Sequence, residues 1–485
     1  MKKHITIKAL IAITSLMSLS AGANAASLLE IYQQALQSDP QIHEAEARRL
    51  AALEAKPQAR GVLLPQISAS GGWSQTESDG RQFSPLIGSG YSFDGESDDA
   101  DWNVTLSQTV FRWDQLVNLK RADKVVTKAE AVREAAQQDL VIRVAQRYFD
   151  VLAAEDRLTS IHADRTAIAR QLEQAKQRFE VGLIAITDVQ ESQAAYDQAA
   201  ANEIDAKRQL ASAREFLREI TGEYVTQLSA PKDDMPLRRP EKSEREWVDL
   251  SLSQNLNLVA SRLDEELARD EISFQRTGHY PTLDLVVRTG NQTSEGNGST
   301  TFPPPVGSPP GSPDIVEPYS SDDDRNFDSI SLQFNVPLFA GGGTSSRVRE
   351  AVYLHRAARE QLRRVTRETE RQSRDAYLGV LAEESRVKAL KQAVASRQTA
   401  LEATQAGFDV GTRTIVDVLN SQFALYAAKT NYQRSRYDYL LNALRLKQAA
   451  GTLKVQDLEQ IDQWLVERKP PEEVIAEEAA KESGS

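Results

Sequence analysis

At 485 residues, with 58 lysines and arginines against 70 aspartates and glutamates, the chain carries a formal charge of −12. That balance argues against nucleic acid as a partner. The sequence holds no cysteine, which excludes disulfides and thiol chemistry, and a chain of this length can bury a core without them.

In chain order, Lys2, Lys3 and Lys8 precede the apolar run Ala9–Leu19, and Ala23-Asn24-Ala25 has the small-x-small pattern of a cleavage site. Residues 1–25 therefore read as a secretory signal peptide, with the mature chain starting at Ala26. No later stretch is long and apolar enough for a spanning helix, so residence in a membrane would have to be as strands. Ser27–Arg60 reads as helix, broken near Asp39-Pro40 where proline fixes the backbone. After Pro65, the residues Ile67, Ala69, Gly71 and Trp73 alternate with Ser68, Ser70 and Gly72. Beyond the polar segment Glu77–Ala100, expected as a loop, Trp102, Val104, Leu106 and Val110 alternate with Asn103, Thr105, Ser107 and Thr109. This period of two predicts a β-hairpin over about 65–112.

Asp114–Glu180 is a long polar, Ala-containing run that would span roughly 100 Å as continuous helix. It turns at a tip near 181–188 and returns as Ile186–Thr221. Thr221–Glu246 interrupts the helical pattern, and Asn255–Gln275 resumes it. A second hairpin is predicted over about 281–339: Leu283, Leu285 and Val287 share one face, as do Ile330, Leu332, Phe334, Val336 and Leu338. The Pro-, Gly- and Ser-rich stretch Asn291–Asn326 between them is expected as a mobile loop. Gly341–Asp409 and Thr414–Ala450 form a second long helical hairpin with its tip at about 408–417. Gly451–Leu465 joins Thr221–Glu246 in a small mixed belt. Residues 467–485 are charged and Pro-containing and are expected as a disordered acidic tail.

The two halves are copies. Val181/Val410, Gly182/Gly411, Asp188/Asp417, Val189/Val418, Ser192/Ser421 and Gln193/Gln422 align at one constant offset, which persists to Gly222/Gly451. The first repeat is 26–230 and the second 231–466. In each, Gly182 or Gly411 breaks the helical run, and Thr187-x-x-Gln190 or Thr414-x-x-Asp417 offers a capping box for the next helix. Each tip is thus a tight turn between two long helices. A search for catalysis finds none. Gly341-Gly342-Gly343-Thr344-Ser345 lacks a phosphate-binding lysine and suits a bend from strand to helix. The five histidines have no metal-ligand spacing, and no nucleophile–base arrangement is legible. No enzyme activity, cofactor or metal is expected.

GTRTIVDVL at Gly411–Leu419 and AITDVQ at Ala185–Gln190 carry a resemblance to the outer membrane factor family, the TolC-like exit ducts of Gram-negative bacteria, running from about Ser27 to Leu465. It implies a mixed α and β membrane protein. Four strands per chain would join a trimeric 12-stranded β-barrel in the outer membrane. That barrel continues into a long periplasmic α-helical barrel of coiled-coil hairpins with a small mixed α/β equatorial belt. The lipid anchor that some of these proteins carry on an N-terminal cysteine is impossible here. The implied function is passive conduction of drugs, toxins and secreted proteins from tripartite efflux pumps and type I secretion systems, gated at the helical tips. The implied partners are a periplasmic adaptor (membrane fusion) protein, an inner-membrane RND, MFS or ABC transporter and outer-membrane lipid.

The resemblance assigns tip links to Gln171, Thr187, Asp188 and Arg413, with Arg413 reaching Thr187 and Asp188 on a neighbouring hairpin. Phe408 stands where the family has tyrosine. Asp417 marks a carboxylate ring at the tunnel entrance, and Asn420 stands where the family has a second acid. Thr187 and Asp417 also read as helix-capping residues. By strand counting alone three copies give twelve strands and two give eight. The alternation also fits a soluble sheet, so a periplasmic structural coiled-coil protein without channel activity is the alternative.

Overall fold

The computed structural model describes residues 25–85, 89–305 and 307–483. The signal peptide expected over 1–25 lies, Ala25 apart, outside them. In order, the elements are α1 (Leu28–Ser38), α2 (Pro40–Leu53), α3 (Ala55–Gly61), β1 (Gln66–Ser84), β2 (Ser89–Phe111), α4 (Trp113–Glu180) and α5 (Ile186–Thr221). There follow β3 (Ala230–Pro231), α6 (Glu244–Gln254), α7 (Leu256–Arg276), β4 (Thr282–Phe302), β5 (Ile315–Asn335), α8 (Gly343–Asp409) and α9 (Ile415–Ala449). The chain closes with α10 (Val455–Asp462), β6 (Leu465–Val466) and α11 (Pro471–Ser483). Two compact units emerge, and each draws on both sequence repeats: Ala51–Thr127 with Leu263–Arg359, and the chain up to Leu50 with Lys128–Arg262 and the chain from Glu360. The repeat boundary at 230/231 is therefore not a boundary between compact units.

The first of these units holds one antiparallel sheet in the order β1-β2-β4-β5. Its register aligns Ile67 with Leu106, Leu106 with Val287 and Val287 with Ile330, so the apolar residues share one face. Ile67 is 71 % and Ile330 78 % exposed there. The next row, Ser68, Thr105, Arg288 and Ser329, is polar and lies on the opposite face. An apolar face open to the surroundings and a polar face behind it are what lipid on one side and water on the other require. The two outer strands, β1 and β5, each leave one edge unpaired.

Two expectations are too wide in this sheet. Most of Glu77–Ala100 and Asn291–Asn326 is strand, not loop: the ladders run on to Ser84↔Ser89 and Phe302↔Ile315. The strands reach 19 to 23 residues, roughly twice the 9–11 that a bilayer needs. Serine, threonine and asparagine pair their backbones as well as apolar residues do, so the ladder outlasts the hydrophobic alternation. β5 also ends at Asn335, short of Val336 and Leu338, because Pro337 has no N–H for the ladder. At the base of the sheet Arg112 forks onto Asp284 at 2.8 Å, and Lys124 and Arg121 pair with Asp270 and Glu271 on α7.

The other unit is helical. Its core is aromatic at the centre: Phe149 stacks on Tyr437 with centroids 5.5 Å apart and meets Tyr148 edge-on. Leu140, Leu152, Leu440 and Leu444 pack around them. Both phenols are satisfied, Tyr148 donating to the Ser229 carbonyl and Tyr437 to Asp156 at 2.5 Å, which removes the cost of burying them. β3 and β6 pair antiparallel beside α6 and α10, forming the small mixed belt. The expected disordered tail is instead held as far as it is described. Arg468 pairs with buried Asp156, and its carbonyl accepts from Gln227 at 2.8 Å. Arg214 forks onto Glu472 at 2.6 and 3.2 Å, and Ile475 packs against the core. The tail's composition is polar, but its acids meet cations placed far away in the chain.

Candidate functional site

The tips close by one backbone device used twice. At the first, Leu183 N–H donates to the Arg178 carbonyl at 2.8 Å and Gly182 N–H to that of Phe179 at 2.9 Å. At the second, Thr412 donates to Gly407 at 2.8 Å and Gly411 to Phe408 at 3.0 Å. Gly182 and Gly411 have φ of 76° and 78°, the left-handed conformation that this helix end needs and that glycine adopts without strain.

The helices that follow start differently. Thr414 caps α9: its hydroxyl accepts from the Asp417 N–H at 3.2 Å, and the Asp417 carboxylate accepts from the Thr414 N–H and hydroxyl, both at 3.0 Å. Those bonds from the Thr414 backbone and side chain hold the Asp417 carboxyl below its ordinary range. In the first repeat Ala185 occupies the capping position and has no side-chain acceptor. Thr187 is the second residue of α5, so the Thr187-x-x-Gln190 box is not formed. The carboxylate of Asp188, aligned with Asp417, thus lacks the partner that ties Asp417 down.

Arg413 makes no side-chain hydrogen bond or ion pair with Thr187 or Asp188 of its own chain; its backbone N–H donates to the Gly407 carbonyl at 3.2 Å, and its charge helps to lower the Asp417 carboxyl. Thr187, Arg413 and Asn420 are exposed, while Asp188 and Asp417 are half-buried. Gln171 is buried on α4 beside Leu172, and its side-chain Nε2 finds no acceptor among the described residues. A link absent from the sequence reading joins the two hairpins of one chain. Arg178, in the last turn of α4, lies 5.0 Å from the centroid of the Phe408 ring and 3.2 Å from the Asp409 carboxylate. Phe408 cannot donate a phenolic hydrogen bond, but its ring face still receives a cation. The only local signal was a basic residue at a helix C-terminus. Farther up, Gln422 donates to both the carbonyl and the carboxylate of Asp164, at 3.1 and 3.0 Å, tying α9 to α4.

The family model described as outer membrane efflux protein matches residues 31–223 and 247–452. The chain belongs to this family. The outer membrane protein TolC of Vibrio cholerae is 38 % identical over 93 % of this chain and 96 % of its own length. TolC of Escherichia coli is 36 % identical over 94 % and 88 %. The alkaline protease secretion protein AprF of Pseudomonas aeruginosa is 28 % identical over 94 % and 91 %. Among solved structures, the outer membrane protein VceC of Vibrio cholerae superposes with a TM-score of 0.69 at 18 % identity, covering 87 % of this chain and 96 % of that one. The CmeC outer membrane channel of Campylobacter jejuni gives 0.69 at 15 %, covering 90 % of each. The four strands and long helical hairpins described above are therefore the fold of outer membrane efflux proteins. The chain is an outer-membrane efflux and secretion channel component, and the family's members are channels, not enzymes.

Proposed function

We propose that three copies close a 12-stranded barrel in the outer membrane. Their helical hairpins would form a periplasmic duct that conducts drugs, toxins and secreted proteins without catalysis of its own. The observation that carries this reading is the open four-stranded sheet, apolar on one face and polar on the other, with two unpaired edges. Four strands cannot enclose a lumen, and joining edges between copies is the one way to satisfy both backbones in lipid. Energy would come from an RND, MFS or ABC transporter of the inner membrane, reached through a periplasmic adaptor at the tips. The gate would be held by Arg413 of one copy on Thr187 and Asp188 of the next, with buried Gln171 finding its acceptor across the same seam. The absence, within one chain, of hydrogen bonds or ion pairs between Arg413 and Thr187 or Asp188, and of an acceptor for Gln171 Nε2 among the described residues, supports that assignment.

Planar-bilayer recording together with a detergent gel tests the reading. Steady cation-permeable conductance from a heat-resistant trimer is expected. Absence of conductance from assembled trimers would favour a structural coiled-coil protein instead. Three Asp417 carboxylates would focus cations at the entrance. Asn420→Asp is expected to raise cation selectivity and block by multivalent cations, measured as reversal potential and blocking concentration.

A further inference from the structure

The register of the sheet decides what its polar face carries beyond the lipid band. Row by row towards the hairpin turns, that face is almost wholly Ser, Thr, Gly, Asn, Gln and charged residues. In the outermost three rows it becomes aromatic. Tyr91 and Phe302 pack with ring centroids 5.4 Å apart. One row in, the tip of the Phe93 ring covers Gly80, where a Cβ would come within 2.6 Å of its Cζ. In the next row Tyr319 lies across two strands: a Cβ at Gly298 would meet its Cζ at 2.7 Å, and one at Gly95 would collide with its hydroxyl. Tyr319 remains 48 % exposed. Glycines on two strands thus make room for a ring laid along the sheet, one face on the backbone and the other open.

The charge beneath has one dominant sign. Asp99 and Asp323 share a row on the same face, both opposite Ser294. They lie four residues from Gly95 and Tyr319 along their strands, about 13 Å at roughly 3.3 Å per residue. One row inward this face carries Asp101 and the guanidinium of Arg325, which is 3.4 Å from Asp323, and farther out it carries Glu317. We propose that this outer end of the lumenal face binds organic cations with an aromatic body, a ring against Tyr319 or the outer rings of Phe93, Tyr91 and Phe302, with Asp99 and Asp323 below drawing the charge. The proposal rests on the channel reading, which makes this face the wall of the exit. Aromatic faces attract flat cations, and carboxylates on a confined wall concentrate them. Departing cargo of this class therefore pauses at the mouth before release.

The test uses full-length channels assembled in planar bilayers and carrying potassium chloride current. Ethidium, a planar aromatic cation, is added on the side of the hairpin turns, with block measured relative to each variant's own open current. Ethidium is expected to block at lower concentration than tetraethylammonium, which has the charge without the rings. Tyr319→Ser should raise the half-blocking ethidium concentration about five-fold or more, while Tyr319→Phe keeps it. Phe93→Ser gives an independent reading if Tyr319→Ser fails to assemble. Asp323→Asn should weaken both cations, separating charge from ring. Equal ethidium block in the parent and in the ring-less variants would overturn the site. A parent without potassium chloride current would overturn the channel reading, and the site with it.

Discussion

At the scale of residues, the tips show one aligned position put to two uses. Asp417 is tied to its own Thr414, whereas Asp188 follows Ala185 and keeps its carboxylate uncommitted within the chain. Arg413 is the cation suited to it, and an exposed ion pair contributes about 0–1 kcal/mol. Repeated by threefold symmetry, the proposed links would bias the closed state by about 0–3 kcal/mol, and about 1.4 kcal/mol is tenfold in population. Arg413→Ser is therefore expected to raise single-channel conductance in properly assembled trimers; parent-level conductance would remove the residue from the gate. A second residue-scale effect is set by burial. Glu155 lies beside Arg214, Arg468 and Glu472, yet burial outweighs those cations and lifts its pKa to about 7. Between pH 4.5 and 7 the folded chain binds a proton that the unfolded chain does not, so this group adds stability as pH falls through 7 and withholds it above. Thermal unfolding should lose that slope in Glu155→Gln, a difference of about 1–3 kcal/mol across the window. An unchanged slope would show that other groups carry it.

At the scale of elements, legibility followed hydropathy contrast. Ile67–Trp73 and Ile330–Phe334 face lipid on one side and water on the other, so their alternation revealed both hairpins. Beyond the band both faces are polar, the period of two vanishes, and a hydrogen-bonded ladder leaves no mark in hydropathy; those halves of the strands were read as loops. The glycine tips were legible because left-handed turns demand a particular residue. The Thr187 cap was misread since the pattern cannot say which residue is first in the helix. The link from Arg178 to Phe408 and Asp409 joins residues more than two hundred positions apart, and nothing local announces it. The tail failed for the same reason. Removing Glu467–Ser485 deletes Arg468 and Glu472 and leaves Asp156, buried, with only the Tyr437 hydroxyl. Breaking a buried pair costs about 3–5 kcal/mol. The truncated chain should melt at lower temperature in detergent, and an unaltered melting curve would make the tail dispensable.

At the scale of the whole molecule, duplication, sheet and helices make a chain whose parts presuppose other copies. The helical unit has its own aromatic core, while the sheet has two open sides. On diluting the purified protein in detergent, strand signal in infrared spectra and trimer on a gel should vanish together, with helix signal outlasting both. Strand signal retained by monomers would contradict this. The edges β1 and β5 also carry a consequence in time. An isolated subunit would leave about ten residues of unpaired backbone in lipid on each side, so intermediates of one or two copies have almost no lifetime there. Pore formation is then a threshold event in subunit supply: a cell making few chains gains no partial pores, and one arriving faster than escorts can shield it meets a neighbour whose bare strand is the best available template.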